Sequence, residues 1–177
     1  HDAYQDQEDL QIFDTDLILV AAVSEDEEIS HLDFYVFQKE EDNMYPHHDY
    51  LLPSFPLCME WNDFFPGLGT DNEEKANMIA IGTFEPFIEI WNLDIIDQPE
   101  PTAVLGVVID DEDDMGLKSV KLESFAHKGP ILSLSWNKYY RNILASGSGD
   151  NSVKIWDLST YNCLATFNVH SDKVSPR

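Results

Sequence analysis

The stretch NILASGSGDNSVKIWD at residues 142–157 recurs in weaker form as NMIAIGTFEPFIEIWN at residues 77–92. The two stretches align without a gap at an offset of 65 residues, and 5 of their 16 positions are identical. Two shorter matches flank them: WNKYY at residues 136–140 matches WNDFF at residues 61–65, and HKGPI at residues 127–131 matches HSDKV at residues 170–174. The chain is therefore built from diverged copies of one unit.

Short apolar segments surround these copies, and no window shows a convincing helical period. Ten segments are rich in Ile, Val, Leu and aromatic residues and are bounded by Gly, Pro, Asp, Asn or Ser, which is typical of strands. Many short strands predict an all-β sandwich, barrel or propeller, and the 43-residue offset between His127 and His170 favours a propeller, whose blades repeat every ~40–45 residues. The predicted strands cover residues 16–23, 31–37, 56–61, 78–83, 87–93, 103–109, 131–136, 143–148, 152–158 and 163–169.

The last unit resembles a WD repeat, because it combines His127, the Ala145–Asp150 turn region and Trp156-Asp157, with Ala126 where the repeat usually has Gly. In such blades the resemblance implies one hydrogen-bond network: the Trp156 indole N–H bonds Ser146, Ser146 bonds His127, and His127 bonds Asp150. The same Ser, His and Asp types could form a catalytic triad. However, the Gly-Ser-Gly at residues 147–149 lacks the G-x-S-x-G spacing and is not followed by a predicted helix. We therefore favour a structural network, with a metal-dependent or serine hydrolase as the alternative from another class.

A narrower resemblance is to the periodic tryptophan protein 1 family. It is carried by LPSFPLC at residues 52–58, Glu60-Trp61, AIGTF at residues 80–84, IEIWNLD at residues 88–94 and NKYYR at residues 137–141. The family comprises eukaryotic WD-repeat scaffolds of the nucleolus that act in assembly of the large ribosomal subunit and have no known catalytic activity.

The resemblance therefore implies a non-enzymatic scaffold in ribosome biogenesis and rRNA processing, located in the nucleus and nucleolus. The implied partners are pre-ribosomal assembly factors and ribosomal proteins, with rRNA nearby in the same ribonucleoprotein. No cofactor, small-molecule substrate or membrane is expected. A WD-repeat adaptor that binds histones or chromatin in the nucleus is the alternative function.

The resemblance to the periodic tryptophan protein 1 family implies a propeller of about seven blades, and the repeats here account for about three, so we expect a partial chain. We predict an acidic tail at residues 1–9, a divergent first blade at 10–52 and a second blade at 53–109. An acidic insertion at 110–124, a third blade at 125–169 and the start of a fourth at 170–177 would follow.

The chain has 177 residues, with 34 Asp and Glu against 10 Lys and Arg, for a net charge of −24. This charge argues against binding nucleic acid through a broad basic face and against an anionic membrane surface. Its acidic runs are either solvated loops or contacts for basic partners. The two cysteines are too few for a disulfide framework. The runs lie at residues 25–28, 40–42, 71–74 and 110–114.

Aromatic residues mark the predicted core and the candidate partner-binding surface. Trp61, Trp91 and Trp136 are predicted blade-core residues. The pairs Phe64-Phe65 and Tyr139-Tyr140 fall in the loop after the first strand of a blade, where most loops are polar. Exposed aromatics beside Arg are typical interface anchors, although one aromatic of each pair could instead pack inward. The candidate partner-binding residues are Phe64, Phe65, Lys138, Tyr139, Tyr140 and Arg141.

Two weaker patterns point to metal ions. His47-His48-Asp49 contains ligand types for zinc, but no second cluster has suitable spacing. The stretch from Asp111 begins like a calcium loop, yet Met115 and Leu122 stand where oxygen ligands are needed. A polar loop entering a strand and a solvated acidic loop are the preferred interpretations, and no metal site is predicted.

Overall fold

A computed structural model describes residues 15–25, 29–71, 73–95, 98–110 and 119–168. Within these ranges the chain is all-β, without a helix, as predicted, and its antiparallel sheets are consistent with part of a β-propeller. The strands are β1 (Leu17–Glu25), β2 (Ile29–Gln38), β3 (Asn43–Leu52), β4 (Pro56–Asn62), β5 (Met78–Thr83), β6 (Ile88–Asn92), β7 (Ala103–Leu105), β8 (Val107–Asp110), β9 (Ser119–Leu122), β10 (Ile131–Trp136), β11 (Ile143–Ser148), β12 (Val153–Asp157) and β13 (Asn162–Phe167).

The first of two compact units, His1–Pro53, contains a three-stranded meander in the order β1-β2-β3. Leu32, Phe34 and Val36 alternate along β2 and are buried, as expected when one face of an antiparallel sheet is covered. Phe34 stacks on His48 of β3 with ring centroids 4.2 Å apart. This cross-strand aromatic pair is one of the contacts that hold β3 against β2.

Strand β3 was not predicted, and His47-His48-Asp49 lies inside it rather than in a loop before a strand. The sequence there does not alternate clearly between apolar and polar residues. The structure accommodates this with a register shift, because Phe34 pairs with His48 and Tyr35 with Pro46, which leaves His47 bulged. Proline is tolerated because β3 is an edge strand and Pro46 lies at the bulge.

The second unit, Ser54–Arg177, contains two four-stranded antiparallel sheets, β4-β5-β6-β7 and β10-β11-β12-β13. Its core lies between the two sheets, where Ile88 and Ile90 of the first belong to the same buried cluster as Leu144 and Trp156 of the second. Gly82 permits this close approach, because a Cβ there would lie 2.6 Å from the Ile131 Cγ2 atom of the neighbouring sheet. The two sheets therefore pack as adjacent layers.

A two-stranded ribbon, β8-β9, lies between the sheets in the sequence. The single strand predicted at residues 103–109 is wrong, because Gly106 has a φ of +93° and ends β7 before β8 begins. The Glu123 amide donates to the Gly106 carbonyl over 2.9 Å and closes the ribbon. The blade and insertion limits stay predictions, and residues 1–9, 111–118 and 170–177 lie outside the described residues.

Candidate interaction surface

The second sheet of the larger unit is held by a buried polar network. Trp156 Nε1 donates to Ser146 Oγ over 2.8 Å, Ser146 Oγ lies 2.7 Å from His127 Nε2, and His127 Nδ1 lies 3.0 Å from Asp150 Oδ2. Ser152 Oγ donates to Asp150 Oδ1 over 2.6 Å and adds a fifth member that the sequence analysis did not include. The structure thus brings the four residues together in the order that the resemblance implies.

A neutral His127 satisfies this whole network. Ser146 accepts the indole N–H and donates its own proton to Nε2, while Nδ1–H points to Asp150. Burial lowers the pKa of His127 from its ordinary value, although Asp150 acts in the opposite direction. Burial acts to raise the pKa of Asp150, but hydrogen bonds from Ser152, the Lys128 amide and His127 outweigh it and hold the pKa below its usual range.

The Ser-His-Asp arrangement is sealed rather than open to a substrate. Ser146 is buried, and its oxygen already lies within hydrogen-bond distance of Trp156 and His127. Burial likewise raises the pKa of the Cys58 thiol to about 11, which keeps it protonated and weakly nucleophilic at neutral pH. The network can therefore stabilise the sheet, and it offers no attacking group at a surface.

In the first sheet of this unit, the buried tryptophan indole N–H has a different hydrogen-bond partner. At an offset of 65 residues, Ile81 stands where the other sheet has Ser146, so the tryptophan of this sheet needs another partner. Trp91 Nε1 donates to Glu89 Oε2 over 3.1 Å, and both residues are buried. Burial raises the pKa of the Glu89 carboxyl, against the opposing effect of that hydrogen bond.

The predicted core tryptophans do not all lie in the core. Trp91 and Trp136 are buried, whereas Trp61 leaves 48% of its surface exposed. Trp61 meets Trp136 edge-to-face, with centroids 5.7 Å apart and an interplanar angle of 85°. Trp61 therefore covers Trp136 at the junction of the two sheets and is only partly covered itself.

The two aromatic pairs differ in exposure, and this corrects part of the predicted partner-binding set. Phe64 is 3% exposed and belongs to the core cluster, so it is not available to a partner. Phe65 is exposed at 36%. In the second pair both side chains point outward, with Tyr139 exposed at 95% and Tyr140 at 71%. Lys138 beside them is also exposed.

The loop that carries the two tyrosines is tied down by its own hydrogen bonds. The Asn137 side-chain oxygen accepts from the Tyr139 amide at 2.9 Å and from the Tyr140 amide at 3.1 Å. The Ile143 amide donates to the Tyr140 carbonyl over 2.8 Å. Because the backbone is fixed, a partner that contacts the rings would lose little loop entropy on binding.

Arg141 has an intramolecular role that the sequence analysis did not anticipate. Its Nε donates to Asp63 Oδ1 at 2.5 Å, and its Nη2 donates to the Asp63 carbonyl at 2.7 Å and the Glu74 carbonyl at 2.8 Å. These bonds join the loop after β10 to the loop after β4 of the neighbouring sheet. Arg141 therefore acts as a clamp between the two loops, and its Nε and Nη2 donors are directed at groups of this chain.

We call the described loop residues at this end of both sheets the lower edge; they are residues 63–71, 73–77, 93–95, 98–102, 137–142 and 158–161. Besides the Arg141 bonds, the Gly67 amide donates to the Leu158 carbonyl over 2.9 Å, which places the two sheets' loops side by side. The exposed apolar residues of the described lower edge are Phe65, Leu68, Ile95, Tyr139, Tyr140 and Tyr161. Leu68, Ile95 and Tyr161 were not predicted, because they lie outside the stretches of sequence that repeat.

Exposed charges on the described lower edge are mainly acidic. Five exposed carboxylates outnumber two exposed lysines, Lys75 and Lys138. The acidic residues are Asp71, Glu73, Glu74, Asp94 and Glu100. The lower edge thus combines exposed aromatic side chains with an excess of acidic side chains.

Among the described residues, no group of three or more His, Cys, Asp or Glu side chains could hold a metal ion, and the His47-His48 pair has no third ligand of this kind. No helix with the length and apolar character needed to cross a membrane occurs in those residues.

Comparison with known proteins identifies a WD repeat in the chain and several relatives that resemble it. Residues 119–157 match the family described as WD domain, G-beta repeat. An uncharacterized WD repeat-containing protein of Schizosaccharomyces pombe is 48% identical over 162 residues, covering 92% of this chain and 31% of that protein.

Two further relatives are named periodic tryptophan protein 1 or its homolog. Periodic tryptophan protein 1 of Saccharomyces cerevisiae is 37% identical over 207 residues, covering 97% of this chain and 35% of that protein. The periodic tryptophan protein 1 homolog of Drosophila melanogaster is 44% identical over 142 residues, covering 80% of this chain and 28% of that protein. The ribosome biogenesis protein WDR12 homolog of Drosophila mojavensis is a more distant match. It is 26% identical over 84 residues, covering 48% of this chain and 18% of that protein. The chain spans about a third of the length of the first three relatives.

Proposed function

Because the chain carries a WD repeat and resembles the periodic tryptophan protein 1 family, we propose that it is part of a non-catalytic scaffold in ribosome biogenesis. The scaffold acts in the nucleolus, in assembly of the large ribosomal subunit and the rRNA processing that accompanies it. Its partners are pre-ribosomal assembly factors and ribosomal proteins. The name of the Drosophila mojavensis relative, a ribosome biogenesis protein, supports a role in ribosome biogenesis.

One structural observation supports the scaffold mechanism: two packed sheets present the tethered, outward-facing Tyr139 and Tyr140 at one edge. A rigid aromatic pair gives a large contact area at low entropic cost. The sealed Ser146 hydroxyl and the half-buried Cys58 thiol, whose pKa is raised, argue for binding rather than catalysis.

Affinity purification of the tagged, full-length protein from nuclear extract tests the function. We expect large-subunit ribosomal proteins, assembly factors and precursor rRNA to be enriched over a purification from untagged cells. Enrichment of histones without pre-ribosomal components would contradict the proposal and favour the chromatin adaptor.

A further inference from the structure

We propose that the lower edge binds a basic, Lys- and Arg-rich segment of a partner protein rather than RNA. This inference rests on the proposed function for the setting in which such a partner is met. It goes further by naming the surface, its chemistry and the class of segment that occupies it.

The aromatic part of the argument is the exposure of the tyrosine loop. Tyr139 and Tyr140 are fixed at the backbone by Asn137 and present their rings to solvent. Phe65 and Tyr161 lie in the neighbouring loops of the same edge and are also exposed. Aromatic faces attract Arg and Lys side chains, whose apolar stems also cover the rings.

The charge part of the argument is the excess of carboxylates around those rings. Arg141 bonds the backbone of the loop that contains Glu73 and Glu74 to the loop of Tyr139 and Tyr140, so these exposed glutamates lie on the same edge as the tyrosines. The nearby Arg141 guanidinium is bonded to the Asp63 carboxylate and to two backbone carbonyls of this chain, so it adds little positive charge that a ligand would meet. Negative charge beside aromatic rings attracts a basic peptide and repels RNA phosphates.

The opposite edge of the same two sheets provides an internal control. Its turns, residues 84–87 and 149–152, and the segment 123–130 that leads into β10 carry one exposed acid, Glu85, and one exposed base, Lys128. Phe84 is exposed there and lies 6.1 Å from Phe55, centroid to centroid. That edge has aromatic rings without the acidic surround, so it separates the contribution of charge from that of rings.

The test measures binding of a short synthetic Arg/Lys-rich peptide and of a single-stranded RNA of matched length to the purified full-length protein. We expect the peptide to bind more tightly than the RNA and to weaken as salt is raised. Changing Tyr139→Ala together with Tyr140→Ala should weaken peptide binding on the order of tenfold. The Tyr139→Phe, Tyr140→Phe pair should retain most of the affinity because the rings remain.

The charge variant and the control complete the test. Glu73→Gln with Glu74→Gln should weaken the peptide and flatten its salt dependence, whereas Phe84→Ala with Glu85→Gln on the opposite edge should leave it unchanged. Three results would overturn the inference. They are wild-type peptide affinity in the Tyr→Ala or Glu→Gln variants, loss of peptide affinity in the opposite-edge variant, and tighter binding of RNA than of the peptide. Failure here with pre-ribosomal association intact removes the inference alone, whereas peptide binding without that association removes the proposed function alone.

Discussion

Ser146 shows how much can depend on one hydroxyl group, because it accepts from Trp156 and donates to His127 inside the sheet. Changing Ser146→Ala leaves both the indole N–H and the imidazole Nε2 without a partner in a buried site. We expect a loss of about 1–3 kcal/mol in the free energy of unfolding, measured by chemical denaturation. The exposed Ser135 on β10 is the matched control, and Ser135→Ala should change stability by less than about 0.5 kcal/mol. Equal losses from both changes would contradict the network.

His127 gives a pH-dependent prediction at the same scale. Its pKa in the folded protein is lowered by burial, so the unfolded chain binds the proton more readily. The stabilisation from neutral His127 is therefore present above the unfolded pKa of about 6.5 and is lost as pH falls through the folded pKa. An NMR titration of the imidazole should give a pKa below about 6.5. A value at or above it would contradict the assigned neutral form.

Arg141 connects two elements, the loop after β4 and the loop after β10, through a fork of donors. Lysine keeps the charge but cannot reproduce the fork, so Arg141→Lys should cost about 1.5–3 kcal/mol of stability. The exposed neighbour Lys138 serves as the control, and Lys138→Ala should have little effect on the denaturation midpoint. An Arg141→Lys protein as stable as wild type would show that the clamp does not hold the loops together.

The sheet-to-sheet contact at Gly82 makes a second prediction for the elements. A Cβ at Gly82 would come within 2.6 Å of both Cys58 Sγ and Ile131 Cγ2, so Gly82→Ala should destabilise by about 1–3 kcal/mol. At Gly69 the nearest atom is the exposed Asp71 side chain, which can move away, so Gly69→Ala should cost much less. Thermal unfolding of the two variants compares the sites, and similar melting temperatures would contradict the close packing.

The elements also show what the sequence could predict. The WD signature repeats a fixed set of residues, so the network around Trp156 and most strands of the second unit follow from the pattern. Strand β3 was missed because a bulge and Pro46 remove its alternation. The outward turn of Tyr139 and the inward turn of Phe64 could not be separated, because aligned aromatics share sequence position but not the packing of neighbouring loops.

For the whole molecule, charge is the property that links sequence to function. A net charge of −24 argues against nucleic-acid binding through a broad basic face, but it does not locate a binding surface. The structure locates an acidic aromatic surface, because loops distant in sequence, at residues 63–71, 73–77 and 137–142, meet at the lower edge. The role of Arg141 was unpredictable for the same reason, since its partner Asp63 lies 78 residues away.

Gradient sedimentation of nucleolar extract tests the central claim, that this scaffold joins large-subunit precursors through its lower edge. The wild-type full-length protein should sediment with the precursor particles. The Tyr139→Ala, Tyr140→Ala variant should move to the free fraction while its melting temperature stays unchanged. A wild-type protein that sediments free of the particles, or a variant that remains fully bound to them, would contradict the claim.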